Sequence, residues 1–434
     1  MATVKKGNLF ALLPLFIFIS LFIGTGIISG DFSNMPLNVA IIIASAFALA
    51  MNRKEKLSNK IEIFAKGAGH PNIILMAVIF VMAGAFAQTA RDMGAVDATV
   101  NLGLSVIPPN LLMVGLFVVG CFISVAMGTS MGTVAALAPI GIGIAEQTGI
   151  PIALAMGTVM GGAMFGDNLS MISDTTIAAV RTQKTKMSDK FKTNFFIVLP
   201  GAIVTAILLW TITAGAQIDT IGVYSYDFVK VLPYIGVLIA ALAGVNVLVV
   251  LISGIVFAGI IGLVDGSYTL SSFVQAVSQG ILNMEDIAIV ALLIGGMIGI
   301  IQHNGGIQWL LNFVTSRIKT KKAAELGIAG LVSATNISTA NNTISIIVTG
   351  PLAKNISDEY NIDPRKSASI LDIFAGGWQG LVPYGGQMLA VSGLAAISPI
   401  SILPYSFYPI AIILSGIVAI LIGFPKFKEK KASS

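Results

Sequence analysis

Charge is scarce in this chain. Lys, Arg, Asp and Glu make up 10% of its 434 residues, against roughly 25% in soluble domains. Hydrophobic residues reach 56% and the mean hydropathy is +0.91. That balance points away from a soluble fold and toward a polytopic membrane protein. Histidine is scarcer still. His70 and His303 are the only two, too few for a zinc site. His303 ends an apolar run beside Asn304-Gly-Gly and reads as an interfacial group. The single cysteine, Cys121, excludes an internal disulfide and argues against a thiolate metal site. It sits in an apolar run and reads as a small core residue. No P-loop, HExxH or GxSxG occurs in a suitable context, so no nucleophile–base set marks an enzyme. Gly24-Thr-Gly26 lies inside an apolar helix with no strand before it. A pI near 9.1 would suggest nucleic acid in a soluble chain. Here the basic residues gather in short loops, which membrane orientation explains without a nucleic-acid partner.

What the chain does have is apolar runs. Candidate helices are Leu9–Ser29, Pro36–Met51, Asn72–Gln88, and Asn110–Ala126 continuing to about Ala145. Further candidates are Asn194–Thr213, Val229–Ala243, Asn246–Val264, Asp286–Gln302, Ala323–Gly350 and Tyr405–Phe424. The first follows Lys5 and Lys6 but is longer than a signal-peptide core, so it reads as a retained helix. Pro151–Arg181 and Ser367–Leu394 are apolar but interrupted near their middles, and read as re-entrant hairpins. Basic clusters lie at Lys5–Lys6, Arg53–Lys66, Arg181–Lys192, Arg317–Lys322 and Lys426–Lys431. The loops Ala214–Asp227 and Asp265–Asp286 hold no Lys or Arg. Ten spans plus two hairpins place every basic cluster and both termini in the cytoplasm. In that layout the mixed-sign segment Lys354–Lys366 lies outside.

The halves resemble one another. Ile61–Ile73 and Val274–Ile287 are amphipathic stretches entering apolar helices, with Gly67 and Gly280 in matching places. Gly128-Thr-Ser-Met-Gly-Thr133 matches Ser338-Thr-Ala-Asn-Asn-Thr343, and Phe165-Gly-Asp-Asn168 lines up with Phe374-Ala-Gly-Gly377. The expected fold is an all-α polytopic membrane protein of two inverted repeats, residues 1–214 and 215–434. Each repeat has five transmembrane helices and one re-entrant hairpin, with interrupted helices at the midplane.

Those interruptions carry the chemistry. Gly166-Asp-Asn-Leu-Ser-Met-Ile-Ser-Asp-Thr-Thr176 puts two carboxylates into membrane-like sequence. A charged group at bilayer depth costs about 2.5–3.5 kcal/mol on insertion scales and persists where it faces a water-filled path. Candidate cation or proton ligands are Asp167, Asn168, Ser173, Asp174, Thr175 and Thr176, with Thr129, Ser130 and Thr133 from the first broken span. Ser338, Thr339, Asn341, Asn342, Thr343, Gln379, Gln387 and Asp372 are the second-repeat or substrate ligands. Na+ is placed at Asp167 and Asp174. Two nearby carboxylates with little water do not readily both ionise, so such a site holds a proton or Na+ in turn. The bland reading is that such hydroxyls only bond neighbouring helices and that Asp174 only caps one. Arg91, Asp92 and Asp97 read as interfacial, and Glu285 and Asp286 as helix N-terminal caps. Asp372 starts the second hairpin, a turn or two from the surface.

Phe165-Gly-Asp-Asn-Leu-Ser-Met-Ile-Ser-Asp-Thr-Thr176 resembles the signature of the NhaC-type Na+/H+ antiporters, within the ion transporter superfamily. The resemblance implies a cytoplasmic-membrane secondary transporter, two inverted repeats, and Na+ and H+ as coupling ions without a further cofactor. Gly166-Asp167 and Ser173-Asp-Thr-Thr176 match the family pattern. Asn168-Leu-Ser-Met-Ile172 stands where the family has Lys-Met-Ser-Pro-Leu, so a fixed positive charge is missing from the expected site. This departure resembles a shorter branch proposed to carry amino acids, histidine among them. The first expectation is Na+/H+ antiport by alternating access. The second is Na+- or H+-coupled movement of an amino acid or small organic acid. The lipid bilayer is the expected surrounding partner, and the sequence allows a homodimer.

Overall fold

The computed structural model describes residues 7–29, 34–171, 173–214, 225–316 and 318–427. Lys5, Lys6, residues 215–224 of one basic-free loop, Arg317 and the basic residues beyond Phe427 fall outside the described residues. No strand occurs among the described residues. Helices satisfy their own backbone groups, which lipid cannot do.

The first half begins with α1 (Leu13–Ile19) and α2 (Thr25–Ser29), joined through a π-helical turn at Ser20–Gly24. Then come α3 (Leu37–Ala50), the amphipathic α4 (Leu57–Ala68) and α5 (Pro71–Asp92). A left-handed turn at Gly94 (φ +81°) leads to α6 (Ala95–Val106), which hydropathy does not single out because Asp97, Thr99 and Asn101 dilute it. The rest of this half is α7 (Leu112–Met127), α8 (Ser130–Thr148), α9 (Ile152–Leu169), α10 (Asp174–Gln183) and α11 (Met187–Ala214). The second half holds α12 (Phe228–Leu242), α13 (Val247–Val264), α14 (Leu270–His303) and α15 (Gly306–Thr315). It closes with α16 (Lys321–Thr339), α17 (Asn342–Glu359), α18 (Pro364–Gln379), α19 (Gly386–Ala395), α20 (Pro399–Ile402) and α21 (Phe407–Ile422). Four of these, α5, α11, α13 and α14, are each long and apolar enough to cross a membrane alone. Glu285 and Asp286 lie inside the long α14 and not at its start, so they are not caps.

Helices α5 and α14 pack antiparallel on glycine. A Cβ on Gly280 would lie 2.3 Å from Gly84 O of α5, and one on Gly67 of the preceding α4 would lie 2.5 Å from Gly295 O. Small residues let the two backbones approach this closely.

The two kinds of interrupted segment are the reverse of the sequence reading. Helices α7 and α8 fold back on one another. The Cβ position of Gly120 falls 3.5 Å from Leu137, and that of Gly141 falls 3.5 Å from Leu116. These pairs step outward on both sides of the Gly128–Thr129 turn, so the segment is a hairpin. Its base holds both ends at one face: Thr213 donates to Asn110 O at 2.7 Å, and Arg91 pairs with Glu146 at 2.5 Å. Helices α16 and α17 do the same from the other face, where Tyr360 donates to Ile318 O at 3.2 Å. By contrast α9–α10 passes through. Ile152 shares a depression with Arg91 and Glu146, whereas Gln183 donates to Gly350 O and accepts from Ser367, both at 2.8 Å, near the opposite end. Helices α18–α19 run back, from Ser367 to Leu394 and Ala395 in the Arg91 depression. In Pro151–Arg181 and Ser367–Leu394 the chain therefore continues past its break and does not fold back on itself as a hairpin would. A polar break in an apolar run looks the same in sequence whether the chain continues or turns back.

Segment 354–366 moves sides for the same reason. Lys366 pairs with buried Glu325 at 2.8 Å in a cleft shared with Lys184, Lys186, Lys321, Lys322 and Lys426. It belongs to the basic face, where His303 also meets Glu55 at 3.0 Å. Cys121 is buried in the core as expected.

Local geometry recurs at a constant spacing. Gly128 (φ +67°) and Ala340 (φ +50°) both end a helix in the left-handed region. Thr129 and Asn341 follow with φ −146° each, and both cap the next helix. Ser124 donates to Ala163 O, and Asn336 donates to Ala375 O. Every pair is 212 residues apart (124 to 336, 128 to 340, 129 to 341, 163 to 375). By this geometry Asp167 corresponds to Gln379, one helical turn beyond the Gly376 that sequence matching pairs with it.

The glycine contact gives a direct test. Gly280→Val should cost about 1–3 kcal/mol through overpacking, read as a lower unfolding midpoint in detergent. Gly330→Ala, whose Cβ would meet nothing within 4 Å, should cause no loss.

Candidate functional site

The helix breaks meet at a cavity of about 400 Å³. Helices α8, α10, α17 and α19 all begin at its wall, with Ser130, Asp174, Asn342 and Gly386 among the lining residues. Thr129, Asp167, Ser173, Thr175, Asn341, Thr343, Gln379 and Gln387 line it too. Eleven of the residues singled out from sequence thus converge on one space.

Asp167 is the centre. It lies in the last turn of α9 and is 6% exposed. Its Oδ1 accepts from the Ser130 amide at 3.1 Å and its Oδ2 from the Ser130 hydroxyl at 2.5 Å. Ser130 N is one of the first amides of α8, which lack partners inside the helix, and that end favours negative charge. The same hydroxyl accepts from Gln387 Nε2 at 2.8 Å, and Gln387 Oε1 accepts from Gln379 at 2.9 Å. Gln379 also donates to Ala340 O at 3.1 Å. A chain of four side chains therefore links the breaks of both halves. It ends on Gln379 Oε1, which is buried with no partner among the described residues.

The break between α9 and α10 is held by hydroxyls. Asp167 O accepts from Ser173 at 3.3 Å, Thr175 at 3.1 Å and Thr176 at 3.4 Å. Behind it, away from the cavity, lies a fully buried polar layer. Asn168 Nδ2 donates to Asp372 Oδ2 at 3.1 Å and its Oδ1 accepts from Tyr408 at 3.0 Å. Lys190 reaches Asp372 Oδ2 at 2.8 Å, and Asn194 reaches it at 2.7 Å. Asp372 lies about two turns inside α18 and is 1% exposed, so it is buried among neighbouring helices. Among the described residues no lysine pairs with Asp167, but α11 brings Lys190 to the layer behind it. Lys190, Asn194 and Tyr408 carry no signal in sequence, because only folding brings their helices together.

Other expectations fare differently. Asp174 lines the cavity but is exposed, so the two aspartates are not a matched desolvated pair. It opens α10 just after Ser173, where a carboxylate suits the helix N-terminus. Thr133 donates to Thr129 O, Ser338 to Ala334 O and Thr339 to Thr335 O, so these hydroxyls serve their own helices and lie off the cavity. Thr129 and Asn341 line the cavity, but their side-chain oxygens already cap α8 and α17.

Charge accounting picks one residue out. Three acids are buried among the described residues. Glu325 and Asp372 each sit 2.8 Å from a buried lysine. Asp167 has only Ser130. An unpaired buried carboxylate beside a cavity is the group best suited to take a cation or a proton. No trio of His, Cys, Asp or Glu converges among the described residues, so hydroxyl, amide and carbonyl oxygens would complete any shell.

A sequence model described as the Na+/H+ antiporter family matches residues 7–213 and again residues 214–427. The chain is 25% identical over 430 residues to the Na(+)/H(+) antiporter NhaC of Bacillus subtilis (strain 168), covering 91% of this chain and 92% of that one. It is 24% identical to the malate-2H(+)/Na(+)-lactate antiporter of the same organism, over 99% of each. It is 22% identical to the arginine/ornithine antiporter ArcD of Halobacterium salinarum, over 82% of this chain and 79% of that one.

The paired acids allow a stability test. Lys366→Met should cost roughly 3–5 kcal/mol by stranding Glu325, seen as a lower unfolding midpoint. Adding Glu325→Leu should recover most of it; a double variant as unstable as the single one would contradict the pairing.

Proposed function

Because the chain belongs to the Na+/H+ antiporter family, we propose that it exchanges Na+ for H+ across the cytoplasmic membrane by alternating access, with Asp167 as the shared site. It is a transporter and not an enzyme. The observation that carries the site is Asp167 itself, buried, without an ion pair and facing the cavity. Either ion would neutralise it, and the two would compete for the same oxygens. Ser173, Thr175, Gln379 and Gln387 supply neutral ligands, and exposed Asp174 draws cations to the entrance. Carbonyls and helix termini freed at broken helices are the usual ligands in such transporters.

The basic face is assigned to the cytoplasm by its Lys and Arg. The cavity reaches the surface at Asp174 and Gly244, beside Asn72 at the start of α5, which supports an inward-open state. Two inverted repeats, divided near residue 214, agree with the 212-residue recurrence and with the two family matches meeting there. In this layout ten crossings and two hairpins remain, with α7–α8 and α16–α17 as the hairpins.

One observation favours a second substrate as well. A water molecule occupies about 30 Å³ of liquid, so 400 Å³ far exceeds one dehydrated ion and falls within the roughly 300–1,000 Å³ of organic-ligand pockets. Met76, Met127 and Met131 give it an apolar wall, and helix N-termini suit a carboxylate. A Na+- or H+-coupled amino acid or small organic acid would fit.

Proteoliposomes separate these readings. A Na+ pulse alone should move protons if antiport is the activity, whereas a response that needs added amino acid or dicarboxylate selects the second. Asp167→Asn should lower the flux at least about a hundredfold while the protein still inserts, the scale expected when the one charged ligand is lost. Normal flux in that variant would remove Asp167 from the mechanism. Asp174→Asn, at an exposed position, should have a smaller effect.

A further inference from the structure

Lys190 lies one turn inside α11 and is 0% exposed. Its ammonium has three donors and three partners. They are Asn168 O at 2.7 Å, Thr176 Oγ1 at 2.7 Å and Asp372 Oδ2 at 2.8 Å. The three belong to α9, α10 and α18. Asn194, one turn further along α11, repeats two of the contacts, donating to Asn168 O at 2.9 Å and to Asp372 Oδ2 at 2.7 Å.

Asn168 O is among the last four carbonyls of α9, which have no partner inside the helix. In a membrane interior such a group must find a donor elsewhere. Asp167 O finds three hydroxyls. Asn168 O finds an ammonium, which a helix C-terminus also favours through its dipole. The same ammonium fixes Thr176, one of those three hydroxyls, so both sides of the break are tied to one atom.

We infer that Lys190 is the positioning residue of the Asp167 site: it clamps the α9–α10 break from behind and neutralises Asp372, leaving Asp167 as the buried acid free for the transported ion. The last part rests on the exchange reading above; the clamp does not. Lysine suits the place because three divergent acceptors surround one nitrogen, a geometry that a planar guanidinium does not reproduce.

Lys190→Met alone would strand a buried Asp372 and endanger folding. The deciding variant therefore joins Lys190→Met to Asp372→Asn, compared with Lys190→Arg and the native protein in lipid. The double variant should insert and unfold near the native midpoint. Amides of residues 168–176 should exchange about tenfold faster than native ones, with the other helices unchanged. The apparent KM for Na+ should rise about tenfold with little change in maximal rate, the pattern of lost binding and not lost chemistry. Lys190→Arg should share the KM defect despite keeping the charge. A double variant with native amide protection and native KM would overturn the inference, since Lys190 would then only balance Asp372. If the double variant does not insert, a native KM in Lys190→Arg overturns it and a raised one supports it. A native protein that shows no Na+-dependent proton flux, together with lost protection at 168–176 in the double variant, would sink the exchange reading and support the clamp.

Discussion

The bond pair between Ser130 and Asp167 is the contact on which the site depends. A carboxylate inside a helical membrane protein needs donors that are not already committed to helix bonds. The start of α8 has such donors, because its first amides lack helical partners. Ser130 offers one amide and one hydroxyl, one to each oxygen of Asp167. This solution requires a helix to begin at the depth where another ends. The Gly128–Thr129 turn therefore belongs to the chemistry as much as the acid does.

Two folded-back helix pairs and two interrupted helices make that arrangement possible. The folded-back pairs α7–α8 and α16–α17 each bring a helix N-terminus to the cavity. The interrupted pairs α9–α10 and α18–α19 run past them in opposite directions and break beside the same cavity. The Gln379–Gln387–Ser130–Asp167 chain ties the two sets together.

Buried charge is distributed with economy. Asp372 and Glu325 have lysines, and both pairs bind helices that must stay in register: α11 to α18, and α16 to α18. Such pairs are weak evidence for stability but strong constraints on geometry, because removing one partner strands the other. Of the three, Asp167 alone has no lysine beside it. The site is thus defined as much by the lysine it lacks as by the oxygens it has.

The sequence alone determined the helical class with its apolar spans, the positions of the breaks, and that Asp167 and Asp174 fall at one of them. Low charge, long apolar runs and polar interruptions are local properties, and local physics decides them. It did not determine which interrupted segment turns back, that Asp174 stays exposed, or that Asp372 is paired with a buried lysine. It hid Lys190 inside what reads as a solvated basic loop, and it hid α6 and α15, whose polar residues mask short helices. Those outcomes depend on partners far along the chain: Asn168 with Asp372, Lys190 with Asn168, Gly350 with Gln183. Hydropathy reports how a residue meets solvent, whereas the partner that makes a buried charge tolerable is chosen only when the helices pack.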